Sequence, residues 1–120
     1  MTLFRAIPIH VHAALEVAAG PLLIVAPFAL GFGYVAGALS IALGVLLIGL
    51  GSSVYGEGDR GSMPLSAHAG LDYTLAAATI AAGVIAGIAG DYVATVFLVG
   101  FGSAHMALTA STRFSRPLGA

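Results

Sequence analysis

The chain has no cysteine, no tryptophan and no lysine. Without cysteine there are no disulfides, no thiolate ligands and no CxxC redox chemistry, and the compartment is left open. Charge is also scarce: Asp, Glu, Lys and Arg make up 8% of the residues, against about 25% in a soluble domain. So few charges cannot cover a water-facing surface, so lipid is the expected solvent. With a net charge of −1 and no basic run, nucleic acid is not an expected partner. No HExxH pattern, no Ser-His-Asp spacing and no phosphate-binding glycine loop occurs. Little chain lies outside the apolar segments to build a pocket for a soluble substrate, so an enzymatic role stays open with the balance against it. Position 2 is not glycine, and no other lipidation motif is seen. A secretory leader is not expected either. The first apolar segment contains Glu16, Pro21 and Pro27, is as long as a membrane span, and recurs later in the chain.

What is present is apolar sequence, 59% of 120 residues. It falls into four runs, roughly 9–32, 34–54, 67–88 and 92–110. Each is about 20 residues, the length that crosses a hydrocarbon core of about 30 Å. The expected fold is all-α: a polytopic four-helix bundle with tight turns near residues 31–33 and 89–91. Pro21 and Pro27 should bend the first helix. Ser66 and Asp91 are the expected N-caps of the third and fourth. Tyr34, Tyr55 and Tyr92 lie near span ends and read as interfacial anchors. Gly37, Gly44 and Gly51 recur every seven residues, and Gly83 and Gly87 form a GxxxG motif. Both patterns suit close helix packing, within one bundle or between copies in a homo-oligomer. The four arginines, at 5, 60, 113 and 116, all fall on one side of a four-span topology. That places both termini in the cytoplasm, with a bacterial or archaeal cytoplasmic membrane as the expected location.

The chain also repeats itself. Ile7-Pro8-Ile9-His10-Val11-His12-Ala13-Ala14-Leu15-Glu16 returns 56 residues later as Met63-Pro64-Leu65-Ser66-Ala67-His68-Ala69-Gly70-Leu71-Asp72. At the same offset Gly44 meets Gly100 and Ser53 meets Thr109. The single domain 1–120 therefore reads as a tandem duplicated hairpin, with repeats at 8–54 and 64–112. A pseudo-two-fold axis along the membrane normal is expected.

The repeated motif sets a His and a carboxylate one turn apart on the same helix face, His12 with Glu16 and His68 with Asp72. His105 lies eight residues before Arg113, at matching depth. Ionisable groups inside apolar spans are costly and point to function. Three imidazoles and two carboxylates suit a transition metal such as Zn, Fe or Mn. Facing bundle helices build such sites. Two histidines from His12, His68 and His105 could instead ligate haem b, with small neighbours such as Ala13, Ala69 and Gly70 giving room for the ring. Either cofactor would suit electron transfer or an accessory role beside other membrane subunits. Two further readings stay open. One is a cofactor-free structural or interaction subunit whose polar layer satisfies itself and fixes register. The other is a proton or cation pathway. His10 lies outside the repeat and is expected to be solvated.

Gly20-Pro-Leu-Leu-Ile-Val-Ala-Pro-Phe-Ala-Leu-Gly-Phe32 resembles the core of the SPW-repeat family of small integral membrane proteins. Ala26-Pro27-Phe28 stands where that family has Ser-Pro-Trp, and an apolar-Gly-Phe exit follows. The resemblance covers mainly the first hairpin, since Ala82 to Ile88 lacks the proline. It implies four spans, and no functional residue is carried over from it.

Overall fold

The computed structural model describes residues 5–55 and 63–115. Four helices follow in chain order: α1 (Ile9–Leu30), α2 (Tyr34–Ser52), α3 (Leu65–Ile88) and α4 (Tyr92–Ala110). A single 3-10 turn, Ser53–Tyr55, extends α2. No strand occurs among the described residues. One isolated bridge joins Ile7 to Thr112. The molecule is an all-α four-helix protein, and each helix is long and apolar enough to cross a membrane. Arg60 and Arg116 lie outside the described residues.

The helix ends follow from local chemistry. Pro8 and Pro64 precede α1 and α3 as N-caps without a side-chain bond. Ser66, expected to cap α3, is already inside it. The helix gains a turn's start from Leu65 because proline supplies helical φ and has no N–H to leave unpaired. Asp91 does cap α4, its Oδ1 accepting from the Ala94 amide at 3.3 Å. Its Oδ2 also accepts from the Gly33 amide at 2.8 Å, tying the two tight turns together. Gly31, at φ 71°, closes α1 in the left-handed region that glycine adopts without strain. Pro21 and Pro27 both lie within α1, which continues through them.

Packing is closest within each hairpin, α1 with α2 and α3 with α4; of the two seams where neighbouring helices of different hairpins meet, α1/α4 is sparser than α2/α3. The glycines explain the close pairs. A Cβ on Gly44 would stand 2.6 Å from the Gly20 carbonyl oxygen, and one on Gly51 would stand 2.9 Å from the Glu16 Cβ. Gly37 faces Pro27, Gly83 faces Val99, and Gly87 faces Thr95. The glycine stripe and the GxxxG motif are therefore used inside the hairpins.

The two hairpins do not match at one offset. α1 and α3 begin 56 residues apart, but α3 has 24 residues to the 22 of α1, so α2 and α4 begin 58 apart. Contacts agree: Gly44 abuts the Gly20 carbonyl, and Gly102 abuts the carbonyl of Ala76, the repeat mate of Gly20. Gly44 thus corresponds to Gly102 and not to Gly100, and His105 corresponds to Leu47.

Size distribution runs opposite to that of a water-soluble protein. The buried positions are largely small, among them Ala13, Ala76, Ala94, Gly20 and Gly102, while Phe28 is 77% exposed and Ile88 83% exposed. Small residues inside and large apolar ones outside suit helices that associate in lipid, where close backbone approach replaces the hydrophobic drive. The arrangement fits an integral membrane protein.

Candidate metal centre

His12 and His68 each sit in the first turn of their helix, α1 and α3, with Glu16 and Asp72 one turn further in. His105 comes from the C-terminal part of α4, which runs antiparallel to α3 within its hairpin. All five side chains are buried. The structure brings every one of them into a single layer.

The helical pairs are not the shortest contacts in it. His12 Nε2 stands 2.8 Å from Asp72 Oδ2, and His68 Nε2 stands 3.0 Å from Glu16 Oε1. The contacts within one helix, His12 to Glu16 and His68 to Asp72, are both 3.2 Å. Each histidine therefore binds the other repeat's carboxylate more closely than its own, which stitches the hairpins together. His105 Nε2 lies 3.3 Å from Asp72 Oδ1 and 3.3 Å from Glu16 Oε2.

The far side of each repeated imidazole is also held. His12 Nδ1 is 2.7 Å from Thr112 Oγ1, and His68 Nδ1 is 3.2 Å from Ser53 Oγ. Both hydroxyls donate elsewhere: Thr112 Oγ1 to the Leu108 carbonyl at 2.7 Å, and Ser53 Oγ to the Leu50 carbonyl at 2.6 Å. A carbonyl only accepts, so each hydroxyl proton is committed, and the donor inventory assigns the proton between hydroxyl and imidazole to Nδ1. In a neutral ring that leaves a lone pair on Nε2. Those lone pairs point at carboxylate oxygens, which also only accept. A cation must lie between them: additional protons, or a metal ion.

A metal fits this set. One ligand atom from each of His12, Glu16, His68 and Asp72 can be chosen so that all lie within 4.8 Å of one another. Donors bound about 2.0–2.2 Å from one ion stand about 2.8–3.1 Å apart at adjacent corners of an octahedron and about 3.3–3.6 Å apart in a tetrahedron. The Nε2-to-oxygen distances, 2.8 to 3.3 Å, fall close to these separations. Nδ1–H donation to a fixed acceptor is the outer support that metal-bound histidines use. Glu16 Oε2, moreover, is buried with no hydrogen-bond partner among the described residues. This group could hold a metal ion.

Three participants carry no signal in the apolar pattern. Thr112 and Phe114 follow α4 in what reads as a polar tail. The segment is drawn over the layer because the Ile7 amide donates to the Ser111 carbonyl at 3.1 Å and the Arg113 amide to the Ile7 carbonyl at 2.9 Å. The Phe114 ring then stands 5.3 Å from the His12 ring and 6.1 Å from that of His68, closing the layer at its terminal end. Ser53 is the third. His10 takes no part: it is exposed, and its carbonyl accepts from the Tyr55 hydroxyl at 3.0 Å.

Comparison with family models, curated proteins and solved structures gives no match. The functional reading rests on the residues themselves.

Proposed function

We propose that this chain is a small integral membrane protein that binds one divalent transition-metal ion in the layer of His12, Glu16, His68, Asp72 and His105. One observation carries the reading. Three imidazole Nε2 atoms converge on two buried carboxylates, while hydroxyls hold the opposite nitrogens of two of those rings. Charge supports it. A dication, two carboxylates and neutral imidazoles sum to zero, and an apolar interior penalises any other total. Mixed nitrogen and oxygen donors suit Zn, Fe or Mn. Iron or manganese would supply one-electron chemistry there, and zinc a Lewis acid. Electron transfer, or an accessory role in a larger membrane complex, follows from the first.

Haem b has less in its favour, because carboxylate oxygens occupy the space between His12 and His68 that a macrocycle would need. Arg5 and Arg113 lie at the same end, joined through the Ile7–Thr112 bridge, so the positive-inside rule favours cytoplasmic termini. A second reading has its own support: shared protons satisfy the same short contacts. The layer would then be a cofactor-free polar seam between the hairpins, or a station for protons.

An absorption spectrum and an elemental scan of gently purified protein separate these. A stoichiometric metal without a Soret band supports the proposal, and a Soret band replaces it with haem. Neither signal, after reconstitution with Zn, Fe and Mn in turn, leaves the proton-bridged seam.

A further inference from the structure

A cavity of about 260 Å3 opens at the α1/α4 seam, where neighbouring helices touch least. Its wall is apolar, with Leu15 and Ala19 from α1 and Phe101 and Ala104 from α4. Glu16 and His105 also line it. Glu16 Oε2 is buried and accepts no hydrogen bond among the described residues; His105 Nε2 stands 3.3 Å from it and 3.3 Å from Asp72 Oδ1, where its hydrogen bond is formed. What sets this opening apart is its polar contact. Ala19 and Ala104 correspond to Leu75 and Leu46, which line a cavity of about 460 Å3 at the α2/α3 seam that meets no carboxylate or imidazole among the described residues.

We propose that the α1/α4 cavity is a binding site for an uncharged, membrane-soluble aromatic alcohol, of the phenol or quinol class, whose hydroxyl donates to Glu16 Oε2. The cavity size admits one or two fused rings and not a bundle of acyl chains. Phe101 offers a ring face or edge for the aromatic body. The unmet acceptor selects a donor over a ketone or an ether, because a buried carboxylate oxygen left without a donor is costly. No lysine or arginine lies among the described lining residues, and the Glu16 carboxylate disfavours an anion beside it. Access is from the bilayer, through the seam between exposed apolar helix faces. The site needs Glu16 Oε2 and the cavity, and it is compatible with a bound ion that takes Glu16 through Oε1, the oxygen that faces His12 and His68.

The probe is 2-naphthol, titrated into nanodiscs carrying the full chain and into empty nanodiscs, with fluorescence as the readout. The chain has no tryptophan, so the naphthol signal has little protein background. Saturable binding above the empty-disc baseline is expected. The Ala19→Leu/Ala104→Leu double variant, which copies the residues of the other seam, should weaken it by about tenfold or more, whereas Leu46→Ala/Leu75→Ala should not. On the unaltered protein 2-methoxynaphthalene should bind about tenfold more weakly or worse, the loss of one charge-assisted hydrogen bond. Absence of saturable binding, equal binding of the methoxy compound, or full binding by the double-leucine variant overturns the proposal. Metal content measured on the same samples keeps the two readings apart, because a metal-free protein that still binds naphthol sinks only the metal centre.

Discussion

The α1/α4 and α2/α3 seams hold matching places between the two repeats, yet only one of them reaches the polar layer. The α2/α3 seam also has a cavity, of about 460 Å3, and Leu46, Leu50, Leu71 and Leu75 are among its lining residues. Their repeat mates across the molecule are Ala104, Leu108, Leu15 and Ala19, which line the α1/α4 cavity. Among the described residues no carboxylate or imidazole lines the α2/α3 cavity. The polar layer differs between the repeats in the same sense, since His105 stands where the first hairpin has Leu47. The repeated motif accounts for the symmetric four: His12, Glu16, His68 and Asp72. Three departures from symmetry, at positions 19, 104 and 105, give the layer a side.

The largest effects should come from the symmetric four. His12→Ala and His68→Ala should each abolish stoichiometric metal while the protein still inserts, with elemental analysis of size-excluded protein as the check. The two losses should be alike, because the partner distances of the two histidines are alike, 2.8 and 3.2 Å for one and 3.0 and 3.2 Å for the other. A variant that keeps full metal breaks the assignment, and two very unequal losses break the symmetry. Next comes His105→Leu, which makes the fourth helix match the second at this position. It should weaken metal binding without abolishing it, because both of its contacts are the longest in the layer, at 3.3 Å. Competition against a metal-sensitive dye reads the change. A loss as complete as that of His12→Ala would make the site a five-donor set in which His105 is an equal member.

Smaller again is the removal of the supporting hydroxyls. Thr112→Val and Ser53→Ala should each cost about 10–100-fold in metal affinity, as outer partners of ligating histidines do. Thr112 should cost more, since its bond to imidazole is 2.7 Å against 3.2 Å. An unchanged affinity in both would mean that the Nδ1 contacts do not orient the rings.

These hydroxyls also mark where the sequence stops being informative. The four helices were legible because length and apolarity suffice to define a span, and the five layer residues because ionisable groups in such spans are rare enough to stand out. Thr112 and Phe114 were not, because they reach the layer only through a backbone pairing between residues 7 and 111–113, and a pairing of that kind leaves no periodic trace. The exchange of carboxylates between repeats was hidden for a similar reason. Spacing places His12 beside Glu16 on one helix, but the distance to Asp72 depends on how two hairpins meet. The two-residue lengthening of α3 was masked by an alanine-rich run in which any register looks alike. Gly33 and Asp91, at the heads of α2 and α4, keep the 58-residue spacing that would have revealed it.

That spacing leads to the smallest expected effect, and to a test of how the hairpins correspond. Helix-to-helix contact makes Gly44 and Gly102 equivalent, whereas the offset of 56 pairs Gly44 with Gly100. A Cβ at Gly44 would stand 2.6 Å from the Gly20 carbonyl oxygen, and one at Gly102 would stand 2.9 Å from that of Ala76. Side chains crowd both places too, Ile24 at Gly44 and Ile80 at Gly102, but the backbone carbonyls cannot swing aside, so the helices would have to separate, at a cost of about 1–3 kcal/mol. At Gly100 a Cβ meets nothing within 4 Å. Gly100→Ala should therefore be neutral or stabilising by up to about 1 kcal/mol, the propensity difference between the two residues in a helix. Thermal unfolding of the three alanine variants in one detergent ranks them. Gly44→Ala and Gly102→Ala should fall together below the parent protein, with Gly100→Ala at or above it. Should Gly100→Ala fall with Gly44→Ala while Gly102→Ala does not, α4 would be shifted by two residues along α3. His105 would then lose its place opposite Asp72, so this modest measurement on apolar positions also bears on the fifth member of the layer.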